Sequence, residues 1–254
     1  MKDLSQLTSW HSDWKDLRAV VFGLGMSGFS VADTLAELGS NVLVVAEKAE
    51  HELVDILNVL GVPHLTGEAA TGVPNEVVQF KPEVLITSPG VKPDHQLLLW
   101  AKSNEIPIWV DIDLAWRLRD KTDKVAEWVL VTGTNGKTTT VQLTTAMLNR
   151  GGKKAIACGN IGTPILDAIR DPSGFDCLVV ELSSFQLHYL GKIEPHTSAV
   201  LNLADDHLDW HGSFEAYKDA KAKVYENTRV ACIYNVNDET TERLVENADV
   251  IEGA

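Results

Sequence analysis

The chain lacks an excess of basic residues. Its 254 residues include 22 Lys and Arg against 36 Asp and Glu, which gives a formal net charge of -14 at pH 7. Phosphate contacts supply most of the affinity of a nonspecific nucleic-acid binder, and they require clustered cations. The composition therefore argues against nucleic acid as a partner. Small anionic ligands would have to be bound by local features of the sequence.

Cysteine and long apolar runs are also scarce. The three cysteines, Cys158, Cys177 and Cys232, lie far apart without metal-ligand spacing, so we expect reduced thiols in the core. No apolar run approaches the roughly 18 residues that a membrane helix needs. The N-terminal stretch MKDLSQLTSWHSDW has no signal-peptide core. These absences predict a cytoplasmic protein with no membrane partner.

A glycine-rich turn follows a short apolar run in the middle of the chain. The run at residues 128–131 leads into GTNGKT at residues 133–138, and a helical pattern extends over residues 139–150. Glycines let backbone N–H groups point inward, Lys137 adds a positive charge, and a helix N-terminus favours anions. Only the tail of the common G-x-x-x-x-G-K-[ST] loop is matched. The alternative is a plain turn before a capped helix with an exposed lysine.

A second glycine turn, GLGMSG at residues 23–28, also lies between a β-rich run and a helical pattern. The helix is predicted over residues 29–38, and a strand follows over residues 41–46. This is a complete G-x-G-x-x-G at the start of a βαβ unit, the usual dinucleotide fingerprint. Glu47 falls where an acidic residue would hold a ribose hydroxyl, so a nicotinamide-dependent dehydrogenase or sensor stays open. A turn without a ligand is the other alternative.

Strands and helices alternate along the chain, which predicts an α/β protein with parallel sheets. A strand at residues 84–87 ends in SPGV, which should face the ligand crevice of the first sheet. The charged stretch 119–124 breaks the pattern. We therefore predict a Rossmann-like domain over residues 1–122 and a P-loop ATPase-like domain over residues 123–254. Further strands are predicted at 106–110, 154–158, 177–181, 198–203 and 230–235, and helices at 111–118, 214–226 and 239–246.

Three strands of the second half end in polar clusters: GNIG at residues 159–162, ELSSFQL at 181–187 and NLADDHLD at 202–209. The carboxyl ends of parallel strands meet at one edge, so these clusters should face the glycine loop. Glu181 is then a strand-exit charge or a magnesium ligand, and the nearby loop favours the metal. His207 is a surface histidine or a metal or substrate ligand. Lys221, on composition alone, is one of three lysines on a solvated helix.

With these motifs in place, the chain resembles the Mur ligases of peptidoglycan synthesis, which builds the cell wall for cell shape and division. GTNGKTTT and GNIG are similar to motifs of the whole family. SPGV, ELSSFQL and NLADDHLDWHGSFEAYKDAK resemble the members that add D-glutamate. The resemblance implies that ATP phosphorylates the free carboxylate of UDP-N-acetylmuramoyl-L-alanine. The amine of D-glutamate then attacks the acyl phosphate, and no protein nucleophile is needed.

The resemblance also implies roles for individual residues. Two magnesium ions are expected, the first on Thr138 and Glu181. The second would lie on His207 and on Lys221, whose counterpart in the family is carbamylated; this implication replaces the solvated-helix interpretation. The residues implied in ATP binding are Gly133, Thr134, Asn135, Gly136, Lys137, Thr138 and Thr139, and those implied in catalysis are Lys137, Asn160, His207 and Lys221.

The UDP-linked substrate would contact both domains. Where the family has an acidic residue near uracil, this chain has Ala46, so Glu47 substitutes after a one-residue shift or uracil is held differently. The implied substrate contacts are Gly25, Met26, Ser27 and Gly28 at the diphosphate, Ser88, Pro89 and Gly90 beside uridine, Glu47 and Lys48 near uracil, and Asn160, Ser183 and Gln186 at the muramoyl-alanine part.

Family members are longer than this chain. They carry a third domain that helps to bind ATP and holds D-glutamate, and their central domain also continues further. We therefore expect the 254 residues to bind ligand as a monomer without turning over. A noncatalytic binding module stays open as a third possibility beside the ligase and the dehydrogenase.

Overall fold

Two α/β units make up the chain, and the boundary between them falls between Leu118 and Arg119. The computed structural model describes residues 2–251. Each unit contains one parallel sheet, and most consecutive strands are joined through a helix. The predicted α/β class, with a Rossmann-like first unit and a parallel-sheet second unit, is confirmed. Within the described residues, no helix has the length and apolarity needed to cross a membrane.

The first unit contains a five-stranded sheet in the order β3-β2-β1-β4-β5. Its elements are β1 (Arg18–Leu24), α1 (Met26–Glu37), β2 (Asn41–Ala49), α2 (His51–Leu60), β3 (His64–Thr66), α3 (Asn75–Phe80), β4 (Val84–Thr87), α4 (Gln96–Ser103), β5 (Ile108–Trp109) and α5 (Asp111–Arg117). Short 3-10 turns lie at Leu4–Gln6 and Gly67–Ala70. Strand β1 pairs with β2 on one side and with β4 on the other, so the strand order reverses there. A ligand crevice opens at the carboxyl ends of strands at such a point.

The second unit contains a five-stranded sheet in the order β10-β9-β6-β8-β7. Its elements are β6 (Glu127–Thr132), α6 (Lys137–Arg150), β7 (Ala155–Gly159), α7 (Ile165–Arg170), β8 (Cys177–Glu181), α8 (Ser184–Tyr189), β9 (Thr197–Val200), α9 (Leu208–His211), α10 (Phe214–Ala222), β10 (Ala231–Ile233) and α11 (Glu239–Glu246), with a 3-10 turn at Lys223–Tyr225. The central strands are apolar because helices cover both faces. Because β6 pairs in parallel with both β8 and β9, the carboxyl ends of these three strands lie at one edge of the sheet.

All three cysteines are free thiols. Cys158 and Cys177 are buried, as predicted, whereas Cys232 is half-buried on the edge strand β10. Burial raises the pKa of the Cys177 thiol to about 11. The thiolate is the reactive form of cysteine, so Cys177 is a structural residue of the core.

Several element bounds differ from the sequence prediction. The strand predicted over residues 198–203 ends at Val200, because the next residues leave the sheet to contact the glycine loop. The strand predicted over 106–110 covers only Ile108–Trp109, and Pro107 before it has no N–H for a ladder. The first helix begins at Met26, three residues earlier than predicted. Helix α10 ends at Ala222, before the predicted residue 226.

Candidate nucleotide and substrate site

The glycine loop between β6 and α6 is held by the segment that follows β9. The N–H of Asn135 donates to Asn202 Oδ1 at 2.9 Å, and Asn202 Nδ2 donates back to the Asn135 carbonyl at 3.0 Å. The Thr134 hydroxyl lies 2.9 Å from the Tyr217 hydroxyl. Gly136 precedes α6 with φ of 84°, a conformation that favours glycine. Protein contacts alone therefore fix the shape of this loop.

Lys137 lies across the loop that it follows. Its Nζ donates to the carbonyls of Gly133 and Thr134, both at 3.0 Å. The first N–H groups of α6 have no partner within the helix, and the helix dipole places partial positive charge there. Asn135 and Gly136 are exposed at the same point. A fixed lysine beside free N–H groups can bind a phosphate group.

Glu181 joins three elements at the end of β8. Its side chain is buried, with only 2% exposed. Oε2 accepts from the Thr138 hydroxyl at 2.8 Å, and Oε1 accepts from Asn160 Nδ2 at 3.1 Å. The register of the sheet explains this meeting, because Glu181 pairs with Val131 of β6 and Gly159 of β7. A carboxylate and a hydroxyl beside a phosphate loop are oxygen donors of the kind that Mg²⁺ prefers, so these residues fit one magnesium ion.

Lys221 is a buried amine of helix α10, with 2% of the residue exposed. Its Nζ donates to Thr132 Oγ1 at 3.1 Å and to the Gly133 carbonyl at 2.9 Å. It also lies 4.9 Å from the centroid of the Tyr217 ring. Burial, followed by the nearby positive charge of Lys137, lowers the pKa of Lys221 to about 7. The solvated-helix interpretation of this lysine is wrong, because the side chain points under the glycine loop.

Among the described residues, His207 forms no hydrogen bond with Lys137, Glu181 or Lys221. Its side chain is 47% exposed, and its Nε2 lies 3.4 Å from Asp206 Oδ2. Its ring packs on Phe185, with centroids 4.7 Å apart. Among the described residues, His, Cys, Asp and Glu form no group of three or more that could hold a metal ion. In its protonated ammonium form, Lys221 has no lone pair to donate to a metal ion. That form therefore does not complete a second magnesium site with His207.

The N-terminus of α8 carries two of the predicted substrate contacts. Ser183 and Gln186 form a capping box, in which Ser183 Oγ accepts from the Gln186 N–H at 3.2 Å. Gln186 is fully buried, whereas Ser183 is half-buried. Ser183 is therefore the more accessible of the two to a ligand.

Four further residues contact the glycine loop, Lys221 or the N-terminus of α8, although the sequence alone predicted no individual role for them. They are Thr132, Asn202, His211 and Tyr217. His211 Nε2 lies 2.9 Å from Ser184 Oγ, next to the capping box. Burial, with the neighbouring His188, His207 and Lys221, lowers the pKa of His211 to about 4. The sequence signal that could have found these residues was their position. Thr132 ends β6, and the other three lie in the segment that follows β9.

The second glycine turn lies in the first unit, against Ser88. A Cβ added to Gly28 would lie 2.1 Å from the Gly23 carbonyl oxygen, so the turn has no room for a side chain there. The Ser88 N–H donates to the Phe22 carbonyl at 2.8 Å, which places Ser88 after β4 and beside the turn. Of the other predicted contacts, Gly25, Met26 and Gly90 are exposed, and Ser27 and Pro89 are half-buried. Gly25 caps α1 without a side chain, which leaves its N–H groups open to an anion.

Near the end of β2, the buried run of the strand stops between Ala46 and Glu47. Ala46 is 1% exposed and points into the core, whereas Glu47 and Lys48 are exposed. Only the later two residues can meet a ligand through their side chains. Glu47 Oε1 lies 3.1 Å from His95 Nε2.

Comparison with known families agrees with these two units. A model described as "Mur ligase MurD-like, N-terminal domain" matches residues 17–110, and a model described as "Mur ligase middle domain" matches residues 131–252. The chain belongs to the Mur ligase family. The resemblance noted in the sequence is therefore confirmed, and the two glycine turns lie in two different Mur ligase domains.

Curated Mur ligases are similar over almost the whole chain. The UDP-N-acetylmuramoylalanine--D-glutamate ligase of Leifsonia xyli subsp. xyli is 58% identical over 262 residues, which cover 99% of this chain and 51% of that protein. The ligase of the same name from Tropheryma whipplei is 44% identical over 255 residues, with coverage of 98% and 52%. The chain thus spans about half the length of the curated relatives that it matches.

Solved Mur ligases share the fold at low sequence identity. The UDP-N-acetylmuramate:L-alanyl-gamma-D-glutamyl-meso-diaminopimelate ligase from Neisseria meningitides superposes with a TM-score of 0.55 at 17% identity, covering 91% of this chain and 76% of that chain. A murein peptide ligase from Psychrobacter arcticus superposes with a TM-score of 0.52 at 16% identity, with coverage of 91% and 52%. These likenesses concern the fold alone.

Proposed function

We propose that the chain is the UDP- and ATP-binding part of a ligase that joins D-glutamate to UDP-N-acetylmuramoyl-L-alanine in peptidoglycan synthesis. The observation that carries the proposal is the phosphate loop of the second unit, where Lys137, Lys221 and the Thr138–Glu181 pair converge. Relatives that are 58% and 44% identical are named for this reaction, which supports the choice of substrates. On this proposal, residues 1–122 bind the UDP end and residues 123–254 bind ATP.

The reaction needs no nucleophile from the protein. A carboxylate oxygen of UDP-N-acetylmuramoyl-L-alanine attacks the γ-phosphorus of ATP, and the bond to the β-γ bridging oxygen breaks to release ADP. The D-glutamate amine then attacks the acyl carbon, phosphate leaves, and the amine loses a proton as the amide forms. Catalysis therefore depends on positioning and on neutralising phosphate charge.

The residues of the loop match these two tasks. Lys137 and the N–H groups of α6 would hold the β- and γ-phosphates, and the contacts of Asn135 with Asn202 keep the loop in shape. Thr138 and Glu181 would hold a magnesium ion, which when bound would neutralise phosphate oxygens. Asn160, Ser183 and Gln186 would contact the muramoyl-alanine part, near the carboxylate that is phosphorylated.

We propose that Lys221 is carbamylated in the active enzyme. Its amine is buried and donates to neutral oxygens of Thr132 and Gly133, so ionisation is not favoured by a carboxylate partner at hydrogen-bond distance. The neutral amine would attack carbon dioxide and lose a proton, which yields a carbamate. That group has the oxygen donors that the ammonium lacks, and with His207 it would provide ligands for a second magnesium ion. His207 would have to turn from Asp206 for this role.

Titration calorimetry of the 254-residue chain tests the nucleotide assignments. We expect binding of ATP with Mg²⁺ and of UDP-N-acetylmuramoyl-L-alanine, but not of NADH. Replacing Lys137 with alanine should weaken ATP binding about tenfold or more, because a charge-assisted contact to phosphate is lost. Lys153→Ala is the matched control, since Lys153 is an exposed lysine of the same unit. Equal ATP affinities for the two variants would contradict the loop assignment.

We further propose that these 254 residues alone bind ligands without turnover. The curated relatives are about twice as long, so groups that complete their active sites have room to lie outside the matched region. D-glutamate-dependent release of phosphate from ATP by the 254-residue chain would refute this proposal. Binding of NADH in place of the UDP compound would instead favour a dehydrogenase or sensor, for which Glu47 has the ribose-binding position.

A further inference from the structure

His95 and Glu47 form a bridge at the carboxyl edge of the first sheet. His95 precedes helix α4, and its ring packs on Phe22 of β1 with centroids 4.6 Å apart. From there its Nε2 reaches Glu47 Oε1 on β2 at 3.1 Å. The bridge thus passes over the end of β1, directly before the glycine turn. Only 22% of the His95 side chain is exposed, so packing restricts its orientation.

The helix cap fixes which ring nitrogen of His95 donates. His95 is the N-cap of α4, and its Nδ1 accepts the N–H of Leu97 at 3.2 Å. A ring nitrogen that accepts a hydrogen bond carries no hydrogen, so the hydrogen of the neutral ring lies on Nε2. His95 Nε2 therefore donates to Glu47. One side chain both caps a helix and tethers a carboxylate.

The tether leaves half of the carboxylate free. Glu47 Oε1 accepts from His95, and within residues 2–251 the side chain has no second hydrogen-bond partner. The Glu47 side chain is 46% exposed, so its Oε2 can meet a ligand. Ala46 is buried and Lys48 offers only a cation. Among the side chains of residues 46–48, Glu47 is therefore the one able to accept a hydrogen bond from a nucleoside.

We propose that His95 is a positioning residue, which orients Glu47 to accept a hydrogen bond from the nucleoside end of the UDP moiety, from uracil N3–H or the ribose 2′-hydroxyl. This inference rests on the proposed function, because it takes the glycine turn as the diphosphate site. Glu47 follows the last glycine of the turn by about 20 residues, the spacing at which an acidic residue reaches a nucleoside in this type of fold. An oriented carboxylate loses less conformational entropy on binding than a free one.

Two substitutions separate this role from a structural one. His95→Asn retains a side chain that is among the best helix N-caps but is too short to hold Glu47, so α4 should stay capped while the tether is lost. Because the ring packing on Phe22 is also lost, the melting temperature is measured for each variant and affinity is compared well below it. The affinity of His95→Asn for UDP should fall about fivefold, and that of Glu47→Ala about tenfold, the range expected for one hydrogen bond to a charged group. His51→Asn is the matched control, because His51 is exposed in the same unit. It should bind UDP like the wild type.

A double-mutant cycle, measured by calorimetry on the 254-residue chain with UDP, decides the matter. If His95 acts through Glu47, adding His95→Asn to Glu47→Ala should cause no further loss of affinity. Equal losses in both backgrounds, or no loss in either, would overturn the positioning role. If the wild type fails to bind UDP, the proposed UDP site itself is wrong, which is a distinct result.

Modified nucleotides identify the donor. If uracil N3–H donates, 3-methyl-UDP should bind wild type more weakly than UDP, and the Glu47→Ala variant should bind both alike. If the ribose donates, 2′-deoxy-UDP should show this pattern. Wild-type affinity that is unchanged by both modifications would overturn the proposal.

Discussion

Replacing Lys221 with methionine is expected to stabilise the second unit while removing a candidate metal ligand. Methionine has a similar length and adapts to irregular space in a core. The substitution leaves the former partners satisfied, because Thr132 Oγ1 also donates to the Leu182 carbonyl at 2.9 Å. The Gly133 carbonyl likewise accepts from Lys137 Nζ at 3.0 Å. No buried polar atom among these partners is left without a hydrogen bond.

The magnitude follows from the pKa of Lys221. Burial and the charge of Lys137 lower this pKa from 10.5 to about 7. Below pH 7 this difference corresponds to an unfavourable contribution of at most about 5 kcal/mol to the free energy of folding. The lost hydrogen bonds and ring contact offset about 2–3 kcal/mol of that gain. We therefore expect Lys221→Met to be about 1–3 kcal/mol more stable than wild type at pH 7.

The pH dependence has a definite sign. An unfolded chain keeps Lys221 protonated up to pH 10.5, whereas the folded chain releases the proton near pH 7. The unfolded state thus binds more protons between these values, so wild-type stability rises with pH across this window. The methionine variant lacks this rise. The difference between the two proteins should therefore shrink by about 2–3 kcal/mol from pH 7 to pH 9.5.

Urea unfolding of both proteins at pH 7 and pH 9.5, in buffer depleted of carbon dioxide, measures these quantities. Lys218→Met is the matched control on helix α10, because Lys218 forms its ion pair with Glu215 near the surface. The reasoning would be refuted if Lys221→Met were less stable than wild type at pH 7. A stability difference between Lys221→Met and wild type that did not change with pH would also refute it.

Two further changes test the packing around the glycine turn and the histidine cluster. Gly28→Ala should destabilise the first unit by more than about 2 kcal/mol in urea unfolding, because the added Cβ would lie 2.1 Å from a backbone carbonyl oxygen. Gly25→Ala is the control and should cost much less stability, because a Cβ there would have no atom within 4 Å. Equal losses of stability in the two variants would contradict the close-approach argument. Burial lowers the pKa of His211 from 6.5 to about 4. The free energy of unfolding of the wild type should therefore fall by about 1–3 kcal/mol as the pH falls from 6.5 to 4, and that of His211→Gln should fall less. Parallel pH profiles of the two proteins would contradict this.

The sequence predicted the phosphate loop and the residues around it because these depend on local order and on one rule of topology. Thr138 follows the loop, and Glu181 ends a strand that was predicted with its observed bounds. Since parallel strands end at one edge, their meeting could be expected. The hydrogen bond between them, at 2.8 Å, agrees with that expectation.

Burial of Lys221 and the direction of Glu47 could not be derived in the same way. Lys221 is buried because helix α10 lies under a loop that is 88 residues earlier in the sequence, and residue pattern alone does not contain that contact. Glu47 faces outward because the buried run of β2 ends at Ala46, although the strand itself continues to Ala49. A strand predicted only to residue 46 does not reveal this. Both features depend on tertiary packing, which overrides local preference.

The two glycine turns differ in charge, and this difference supports different tasks for them. The first turn offers helix N–H groups and contains no lysine, and His95 holds the carboxylate of Glu47 at the same edge of the sheet. Such a site suits a nucleoside diphosphate that is held but not changed. The second turn gathers Lys137 and Lys221, and their mutual repulsion contributes to the lowered pKa of Lys221. A phosphate group bound there would relieve that repulsion. In a chain with a net charge of -14, Lys137 and the N–H groups of α6 concentrate positive charge where a phosphoryl group would be transferred.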